Sequence, residues 1–133
     1  MPKLERSLEP RAPRILVVED DTFVRIALCE DLREAGLAVV EAASAEEALS
    51  YLSVGERIDL VFTDIQLPGR LDGIALARQL RTRHPALPVV LTSGNTVPPG
   101  DLEGSLFIPK PYDHRRVAEI ALELTRPKRR EAE

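Results

Sequence analysis

The sequence contains little cysteine, little histidine and no long apolar run. Cys29 is the single cysteine, so the chain cannot close an internal disulfide or build a cysteine-based zinc site. With only two histidines besides, a metal site made of nitrogen and sulfur ligands is not expected. The longest unbroken apolar runs are about four residues, whereas a membrane span needs about 20 and a signal-peptide core about 7–15. We therefore expect a cytoplasmic protein without membrane insertion.

The composition is that of one globular domain. The chain has 133 residues, of which 44% are hydrophobic and 30% charged, and its formal net charge is −4 at pH 7. This acidic balance argues against a nucleic-acid partner, although residues 126–130 are locally basic. We expect a flexible N-terminal extension over residues 1–13, a folded domain over residues 14–125 and a charged C-terminal tail over residues 126–133.

Strand-like and helix-like segments alternate along the chain. Five short aliphatic stretches predict strands buried on both faces, at residues 15–18, 38–40, 58–63, 88–91 and 106–108. Helical periodicity predicts a first apolar stripe made of Val24, Ala27, Leu28, Leu32 and Ala35, and a last one made of Val117, Ile120, Ala121 and Leu124. The spacing Ser44 to Glu47 fits a capping box, and Asp72 and Asp113 fit helix N-caps. This alternation predicts an open α/β fold with a parallel sheet covered by helices on both faces.

Polar residues follow several of the predicted strands at their carboxyl ends, where ligands bind in open parallel sheets. They are Glu19, Asp20 and Asp21 after the first strand, Asp64 after the third, Thr92 and Ser93 after the fourth and Lys110 after the fifth. Carboxylates from two strands at one edge repel each other unless a cation or a shifted protonation relieves them. An oxygen-only ligand set in an open cleft favours Mg²⁺.

A carboxylate flanked by a metal ion, an ammonium group and a hydroxyl is suited to attack phosphorus, because these groups stabilise charge on the transferring phosphoryl oxygens. The product would be an aspartyl phosphate. Each residue also has a plainer interpretation. Asp64 would be a turn residue before Pro68, Asp21 a helix-start residue, Thr92 a strand end and Lys110 a surface amine.

Four segments together resemble the signature segments of bacterial response-regulator receiver domains of two-component signalling. They are ILVVEDD at residues 15–21, LVFTDIQLPG at residues 60–69, VLTSG at residues 90–94 and KPY at residues 110–112. They occur in the family's order and close to its spacing. The resemblance implies a flavodoxin-like α/β fold, an open five-stranded parallel sheet of order 2-1-3-4-5 with helices on both faces.

The resemblance also implies roles for the residues at the sheet edge. Asp64 would be the phosphoacceptor. Glu19, Asp20 and Asp64 would hold Mg²⁺ together with the backbone carbonyl of Gln66.

Further roles concern the fourth and fifth strands. The resemblance implies that Thr92 contacts the phosphoryl group and that Lys110 bridges to it. It also implies that Thr92 and Phe107 form the switch, in which the aromatic side chain of Phe107 turns inward when Thr92 moves toward the phosphoryl group. A cis peptide bond between Lys110 and Pro111 is also implied. We assign Cys29 to packing.

Two departures from the family pattern are visible. Arg70 and Leu71 make the segment after Gly69 one residue longer than the common Pro-Gly-x-Asp-Gly pattern. The stretch from Thr92 to Lys110 is shorter than usual and contains prolines and glycines at residues 98–100 and 104. Because these residues disfavour helix, we predict a short or degenerate fourth helix of no more than about one or two turns.

These features predict a stand-alone receiver that a histidine kinase or a histidine phosphotransfer protein phosphorylates on Asp64 and that signals to an unidentified downstream protein. About eight residues follow the last predicted helix, too few for an output domain. We expect no enzymatic activity beyond self-phosphorylation and autodephosphorylation. Two alternatives remain: a receiver-shaped docking module that works without phosphorylation or is cut from a larger protein, and a phosphatase or transferase that forms an aspartyl phosphate.

Overall fold

The computed structural model describes residues 11–102 and 104–127. Within these residues, five strands form one sheet: β1 (Arg14–Val18), β2 (Ala38–Ala42), β3 (Leu60–Asp64), β4 (Val89–Ser93) and β5 (Leu106–Pro109). The strands pair in the order β2-β1-β3-β4-β5, and every pair is parallel. The predicted flavodoxin-like sheet of order 2-1-3-4-5 is confirmed.

Over the same ranges, the sheet is connected by four α-helices: α1 (Thr22–Glu34), α2 (Ala45–Ser53), α3 (Gly73–Arg83) and α4 (His114–Thr125). Each helix begins after a residue whose side chain accepts a hydrogen bond from a backbone N–H of the first turn, which satisfies a donor that has no partner within the helix. These N-caps are Asp21, Ser44, Asp72 and Asp113. One half of the predicted capping box is present, since Ser44 Oγ accepts from Glu47 N at 3.1 Å, while Glu47 Oε1 accepts from Ala43 N at 2.8 Å, one residue before the cap.

The helices cover both faces of the sheet, and each face has its own apolar core. On one face, α1 and α4 pack on alternate residues of the strands, including Ile15, Val17 and Phe62. On the other face, α2 and α3 pack on the intervening residues, including Leu16, Val18 and Val61. This alternation follows from the two-residue period of a strand, and it leaves the carboxyl ends of the strands uncovered at one edge.

The expectation that all five strands are buried on both faces is wrong for the two edge strands. Residues 38–40 of β2 are half-buried and Glu41 is exposed, and in β5 both Leu106 and Pro109 are exposed. An edge strand has a neighbour on one side only. β5 is in addition preceded, over the residues that are described, by a single 3₁₀ turn, Gly100–Leu102, instead of a full helix, so less of its face is covered.

The predicted apolar stripe of α1 is also wrong in part. Val24, Ala27 and Ala35 are exposed, and the buried residues of the helix are Leu28, Cys29 and Leu32. The inward face includes a charged residue, because Arg25 donates from Nη1 to the carbonyl oxygen of Glu19 at 2.7 Å and from Nε to Glu41 at 3.0 Å. A stripe counted from apolar residues alone does not include a half-buried arginine, so the predicted stripe matches the inward face of the helix only in part.

The segment between β4 and β5 contains a single 3₁₀ turn, Gly100–Leu102, in the part of the chain that the structure describes. The prediction that the helix between the fourth and fifth strands is short or degenerate is confirmed. Leu102 is buried in the core beneath α3. Asp101 binds Arg78 of α3 through two hydrogen bonds, Nε to Oδ2 at 2.8 Å and Nη2 to Oδ1 at 2.9 Å, and Arg81 donates to the carbonyl oxygen of Asp101.

The predicted division into extension, domain and tail stays a prediction. Residues 1–10 of the extension and residues 128–133 of the tail lie outside the described residues. Among the residues that are described, no helix is long and apolar enough to cross a membrane.

Candidate functional site

The predicted site residues lie together at the carboxyl edge of the sheet. β1 leads into Glu19 and Asp20, β3 ends at Asp64, and Asp64 pairs in register with Thr92 of β4. Lys110 follows β5 directly, and its backbone N–H donates to the carbonyl oxygen of Ser93 at 2.9 Å. Asp64, Thr92 and Ser93 belong to the last residues of their strands, one or two positions further inside the sheet than the sequence predicts. Strand ends, or the residues next to them, therefore hold the side chains of Glu19, Asp20, Asp64, Thr92 and Lys110.

An ion pair between Lys110 and Asp64 dominates the geometry of the site. Lys110 Nζ lies 2.7 Å from Asp64 Oδ2 and 3.6 Å from Glu19 Oε1. The other Asp64 oxygen, Oδ1, accepts a hydrogen bond from Gln66 N at 3.0 Å. The side chains of Asp64 and Glu19 are each 7% exposed, while that of Lys110 is 31% exposed. The ammonium group of Lys110 therefore has room to move toward new negative charge at this edge of the sheet, whereas the carboxylates of Asp64 and Glu19 are held in place by packing.

Three carboxylates form a set that fits a divalent cation. One oxygen atom each of Glu19, Asp20 and Asp64 lies within 4.8 Å of the others. Glu19 is oriented by its own backbone neighbour, because Oε2 accepts from Asp21 N at 2.9 Å. The donor set is all oxygen, as Mg²⁺ prefers. Gln66, the fourth predicted ligand, is the second residue of the loop that follows Asp64, and its backbone N–H donates to Asp64 Oδ1.

The charges at this edge influence one another. Burial raises the pKa of the Glu19 carboxyl above its usual value, and the negative charges of Asp64 and Asp20 add to this, although the hydrogen bond from Asp21 N and the charge of Lys110 oppose it. Burial alone would lower the pKa of the Lys110 ammonium group, but the hydrogen bond to Asp64 and the carboxylate charges outweigh burial and raise it. Lys110 is therefore charged at neutral pH, and the surplus of carboxylates favours a further cation.

Thr92 has a buried hydroxyl group for which the described residues provide no hydrogen-bond partner. Its residue is 1% exposed, and its Oγ1 has no hydrogen-bond partner among residues 11–102 and 104–127. A buried hydroxyl without a partner costs about 1–3 kcal/mol. The neighbouring Thr63, which is equally buried, donates from Oγ1 to the carbonyl oxygen of Asp64 at 3.0 Å. The unpartnered hydroxyl of Thr92, one strand away from Asp64, fits a site that receives a further acceptor oxygen.

Two other predicted features can be located. The Lys110–Pro111 peptide bond is cis, as the resemblance implies. Phe107 is half-buried and packs against the core on the α2 and α3 face of the sheet, on the neighbouring strand to Thr92. The proposed switch role of Phe107 stays a prediction.

The sequence analysis did not identify Gly73 as a site residue. Its Cα lies against the backbone at the end of β3, and a Cβ at this position would overlap the carbonyl oxygen of Asp64 and lie 2.7 Å from the Cα of Ile65. Gly73 N also donates to Ile65 O at 2.7 Å. The signal is present in the Asp-Gly pair at residues 72–73, which was interpreted as a helix start and as part of the Pro-Gly-x-Asp-Gly pattern but not as a contact with Asp64.

An exposed apolar patch next to the site was also missed. Phe23 is 84% exposed and Val24 39% exposed at the start of α1. Val24 lines a shallow pocket with Lys110, Pro111 and Tyr112. Burial, with a further contribution from the charge of Glu19, raises the pKa of Tyr112 to about 12, so its ring carries no charge at neutral pH. The patch is therefore mainly apolar, with Lys110 and His114 as the polar residues of its pocket, and Lys110 joins it to the acidic cluster.

Comparison with known proteins gives the same class as the geometry. The family described as response regulator receiver domain matches residues 15–121. The chain belongs to this family, which is the receiver domain of two-component signalling.

Named relatives support the assignment. The chain is 34% identical over 119 residues to the C4-dicarboxylate transport transcriptional regulatory protein DctD of Rhizobium meliloti, and this alignment covers 83% of the chain and 25% of DctD. It is 33% identical over 106 residues to the DNA-binding transcriptional regulator NtrC of Klebsiella pneumoniae, with 73% of the chain and 21% of NtrC covered. The chain thus spans a quarter or less of the length of these two relatives.

Solved structures agree in fold over nearly their whole length. A response regulator receiver protein from Pseudomonas putida superposes with a TM-score of 0.76 at 31% identity, covering 86% of this chain and 99% of that one. The receiver domain of the hybrid histidine kinase CckA superposes with a TM-score of 0.71 at 36% identity, covering 85% of this chain and 99% of that one.

Proposed function

We propose that Asp64 accepts a phosphoryl group from a histidine kinase or a histidine phosphotransfer protein, in a reaction that depends on Mg²⁺, and that the phosphorylated domain signals to a protein partner. The main support is the combination at one sheet edge of an acceptor carboxylate, a charged Lys110 at 2.7 Å and the unpartnered hydroxyl of Thr92 on the neighbouring strand. A carboxylate that served only as a turn residue would not need these two neighbours.

The proposed reaction is a group transfer between side chains. An oxygen of the Asp64 carboxylate attacks the phosphorus atom of a phosphohistidine on the donor protein. The new P–O bond forms while the P–N bond breaks, and the departing imidazole takes up a proton and leaves as neutral histidine. The product is an aspartyl phosphate, and water later hydrolyses it to restore Asp64 and release inorganic phosphate.

Lys110 and Thr92 have distinct roles in this proposal. Lys110 Nζ now neutralises Asp64 Oδ2, and on phosphorylation it exchanges this contact for one with a phosphoryl oxygen. The Thr92 hydroxyl donates to another phosphoryl oxygen and thereby acquires a partner for its buried oxygen. This second contact moves Thr92 toward Asp64, and Phe107 on the next strand responds to the change in packing.

The acidic cluster supports the metal requirement. Glu19, Asp20 and Asp64, with the Gln66 carbonyl, are the residues that would hold Mg²⁺, and the ion would supply positive charge to the oxygens of the transferring phosphoryl group. Glu19 and Asp20 do not react. They hold the negative charge that makes the edge selective for a cation.

The exposed apolar patch is the surface we propose for the phosphodonor protein. Val24 lines a pocket with Lys110 and Pro111, and the exposed Phe23 precedes Val24 in the first turn of α1, so a donor covering this patch would bring its histidine close to Asp64. The downstream partner is a protein as well. DctD and NtrC are named as transcriptional regulators, and no DNA contact is proposed for this chain, whose described surface at the site is acidic.

The proposal is tested with a small phosphodonor. With acetyl phosphate and Mg²⁺, intact mass spectrometry should show a single addition of about 80 Da, and a chelator should prevent it. The matched control is Asp64→Asn, which should show no addition, while Asp21→Asn, outside the proposed acceptor and ligand set, should behave as wild type. No addition to the wild-type chain, with the fold intact by circular dichroism, would contradict the proposal and favour a docking module that works without phosphorylation.

A further inference from the structure

The loop that follows Asp64 is held at both ends and also in its middle, where a side chain of another helix binds it. It runs from β3 to α3 over residues 65–72 and contains the extra residue that the sequence shows after Gly69. Its two ends are held together at the end of β3. At the start Gln66 N donates to Asp64 Oδ1 at 3.0 Å, and just past the end Gly73 N donates to Ile65 O at 2.7 Å.

The middle of the loop is bound by one side chain from the first turn of α2. Glu46 Oε2 accepts from Arg70 N at 3.1 Å and from Leu71 N at 3.3 Å. Gly69 lies against the same carboxylate, because a Cβ at Gly69 would be 3.1 Å from both Glu46 oxygens. Gly69 also has φ of +94°, a conformation that glycine adopts without strain. The backbone around Gly69 is therefore shaped to fit a carboxylate.

This contact involves an ionised acceptor and two backbone donors, which makes it stronger than two neutral hydrogen bonds. Its partners are 24 and 25 residues apart in sequence, so it ties the loop to a different helix from the one that the loop enters. Leu67 and Leu71 pack against the core below. The apolar side chains of the loop are thus anchored by packing, and its exposed backbone N–H groups are anchored by Glu46.

We propose that Glu46 is a positioning residue for the phosphorylation site: it holds residues 69–71 in place and thereby keeps Gln66, at the start of the same loop, in the position where its carbonyl completes the Mg²⁺ site. This inference rests on the proposed function of the acidic edge. It explains how the chain tolerates an extra residue in a loop that must present a ligand, since the added length is bound by a carboxylate.

The test compares two neighbouring glutamates of the same helix turn. Glu46→Ala removes the contact with the loop, whereas Glu47→Ala removes a cap contact to Ala43 N without touching residues 69–71. Glu46→Gln keeps one acceptor oxygen, so it should keep part of the contact with the loop and have a smaller effect than Glu46→Ala. Gly69→Ala leaves every charge in place, but it crowds the carboxylate and strains the backbone at φ +94°, so it should loosen residues 69–71 as Glu46→Ala does.

Two measurements on ¹⁵N-labelled protein follow the proposal. Amide exchange of Arg70 and Leu71 should become faster in Glu46→Ala and stay as in wild type in Glu47→Ala. Mg²⁺ affinity, titrated by chemical shifts with the metal alone, should fall roughly tenfold in Glu46→Ala, by less in Glu46→Gln and by less than twofold in Glu47→Ala.

The outcomes separate this inference from the proposed function. Faster exchange at Arg70 and Leu71 with unchanged Mg²⁺ affinity would reduce Glu46 to a structural role and overturn the inference, while acetyl phosphate could still phosphorylate Asp64. A wild-type chain that binds no Mg²⁺ would overturn it too. A chain that binds Mg²⁺ with the predicted dependence on Glu46, yet is not phosphorylated, would support the inference and remove the proposed function.

Discussion

The Cα of Gly73 lies directly against the carbonyl group of Asp64, with no room for a side chain between them. This contact sets the distance between the first turn of α3 and the end of β3. Since α3 also begins with the Asp72 cap, the helix start, the loop before it and Asp64 form one packed unit.

We predict that Gly73→Ala disturbs this unit. The new Cβ would overlap backbone atoms, which cannot rotate away, so the helix must shift and the free energy of unfolding should fall by about 1–3 kcal/mol. Phosphorylation by acetyl phosphate should slow as well. Gly100→Ala is the control, because a Cβ there meets nothing within 4 Å and stability should change by no more than about 0.5 kcal/mol. Equal stability of the two variants in urea unfolding would contradict the prediction.

Mg²⁺ should stabilise the fold, because the three carboxylates come together only in the folded chain. At a concentration ten times its Kd, a ligand adds about 1.4 kcal/mol, which corresponds to a rise of roughly 3–6 °C in Tm for a domain of this size. Asp20→Asn should lose most of this rise. Asp21→Asn should keep it, since Asn caps α1 as well as Asp does. A Tm that does not respond to Mg²⁺ in any of these proteins would count against the metal site.

Two buried threonines on adjacent strands should respond oppositely to the same substitution. Thr92→Val removes a hydroxyl with no partner among the described residues and should raise the free energy of unfolding by about 1 kcal/mol in the unphosphorylated protein. Thr63→Val removes a hydrogen bond to Asp64 O and should lower it by a similar amount. Urea unfolding without Mg²⁺ measures both, and a destabilised Thr92→Val would show that the hydroxyl is already satisfied.

The turn between β4 and β5 should depend on pH through Asp101. The hydrogen bond from Arg78 lowers the pKa of this carboxyl below its usual value. A depressed pKa means that the pair contributes above the ordinary Asp range and that the contribution is lost as the pH falls through the lower, folded-state value. NMR titration of the Asp101 carboxyl should show a midpoint that rises toward the ordinary value in Arg78→Gln and in high salt. The same midpoint in wild type and variant would refute the coupling.

The apolar patch at the start of α1 should matter for a protein donor and not for a small one. Phe23→Ala should reduce phosphotransfer from the cognate histidine kinase or phosphotransfer protein by roughly tenfold, because truncating a buried interface aromatic commonly costs more than 1 kcal/mol. Phosphorylation by acetyl phosphate should be unchanged. The control Val54→Ala alters another exposed apolar residue, 71% exposed and following α2, and should leave both reactions as they are. Equal loss with both donors would place the defect in the site itself.

The misplaced stripe of α1 and the missed contact of Asp101 both depend on charged side chains that bind outside their own segment. The predicted stripe of α1 matches only in part because the half-buried Arg25 lies on the inward face, where it binds the Glu19 carbonyl. The prolines and glycines after Thr92 correctly predicted that a full helix is missing. They gave no sign that Asp101 binds Arg78, a residue 23 positions earlier in the chain. The composition also predicts high mobility for residues 95–104, of which residue 103 lies outside the described residues, and this stays a prediction. Within that segment, Asp101 binds Arg78 and Leu102 is buried, and both contacts oppose such mobility.

By itself, the sequence determined the features that depend on residues near one another in the chain: the five strands, the helix caps at Ser44, Asp72 and Asp113, and the polar residue types at the strand ends. Helical and strand periodicities and caps are local, so a single sequence displays them. The tertiary structure decided which groups meet. The 2.7 Å contact of Lys110 with Asp64, the unpartnered hydroxyl of Thr92 and the carboxylate of Glu46 on the loop each join elements distant in sequence. Such contacts depend on how the crossovers bring strands and helices together, and packing across the sheet determines that.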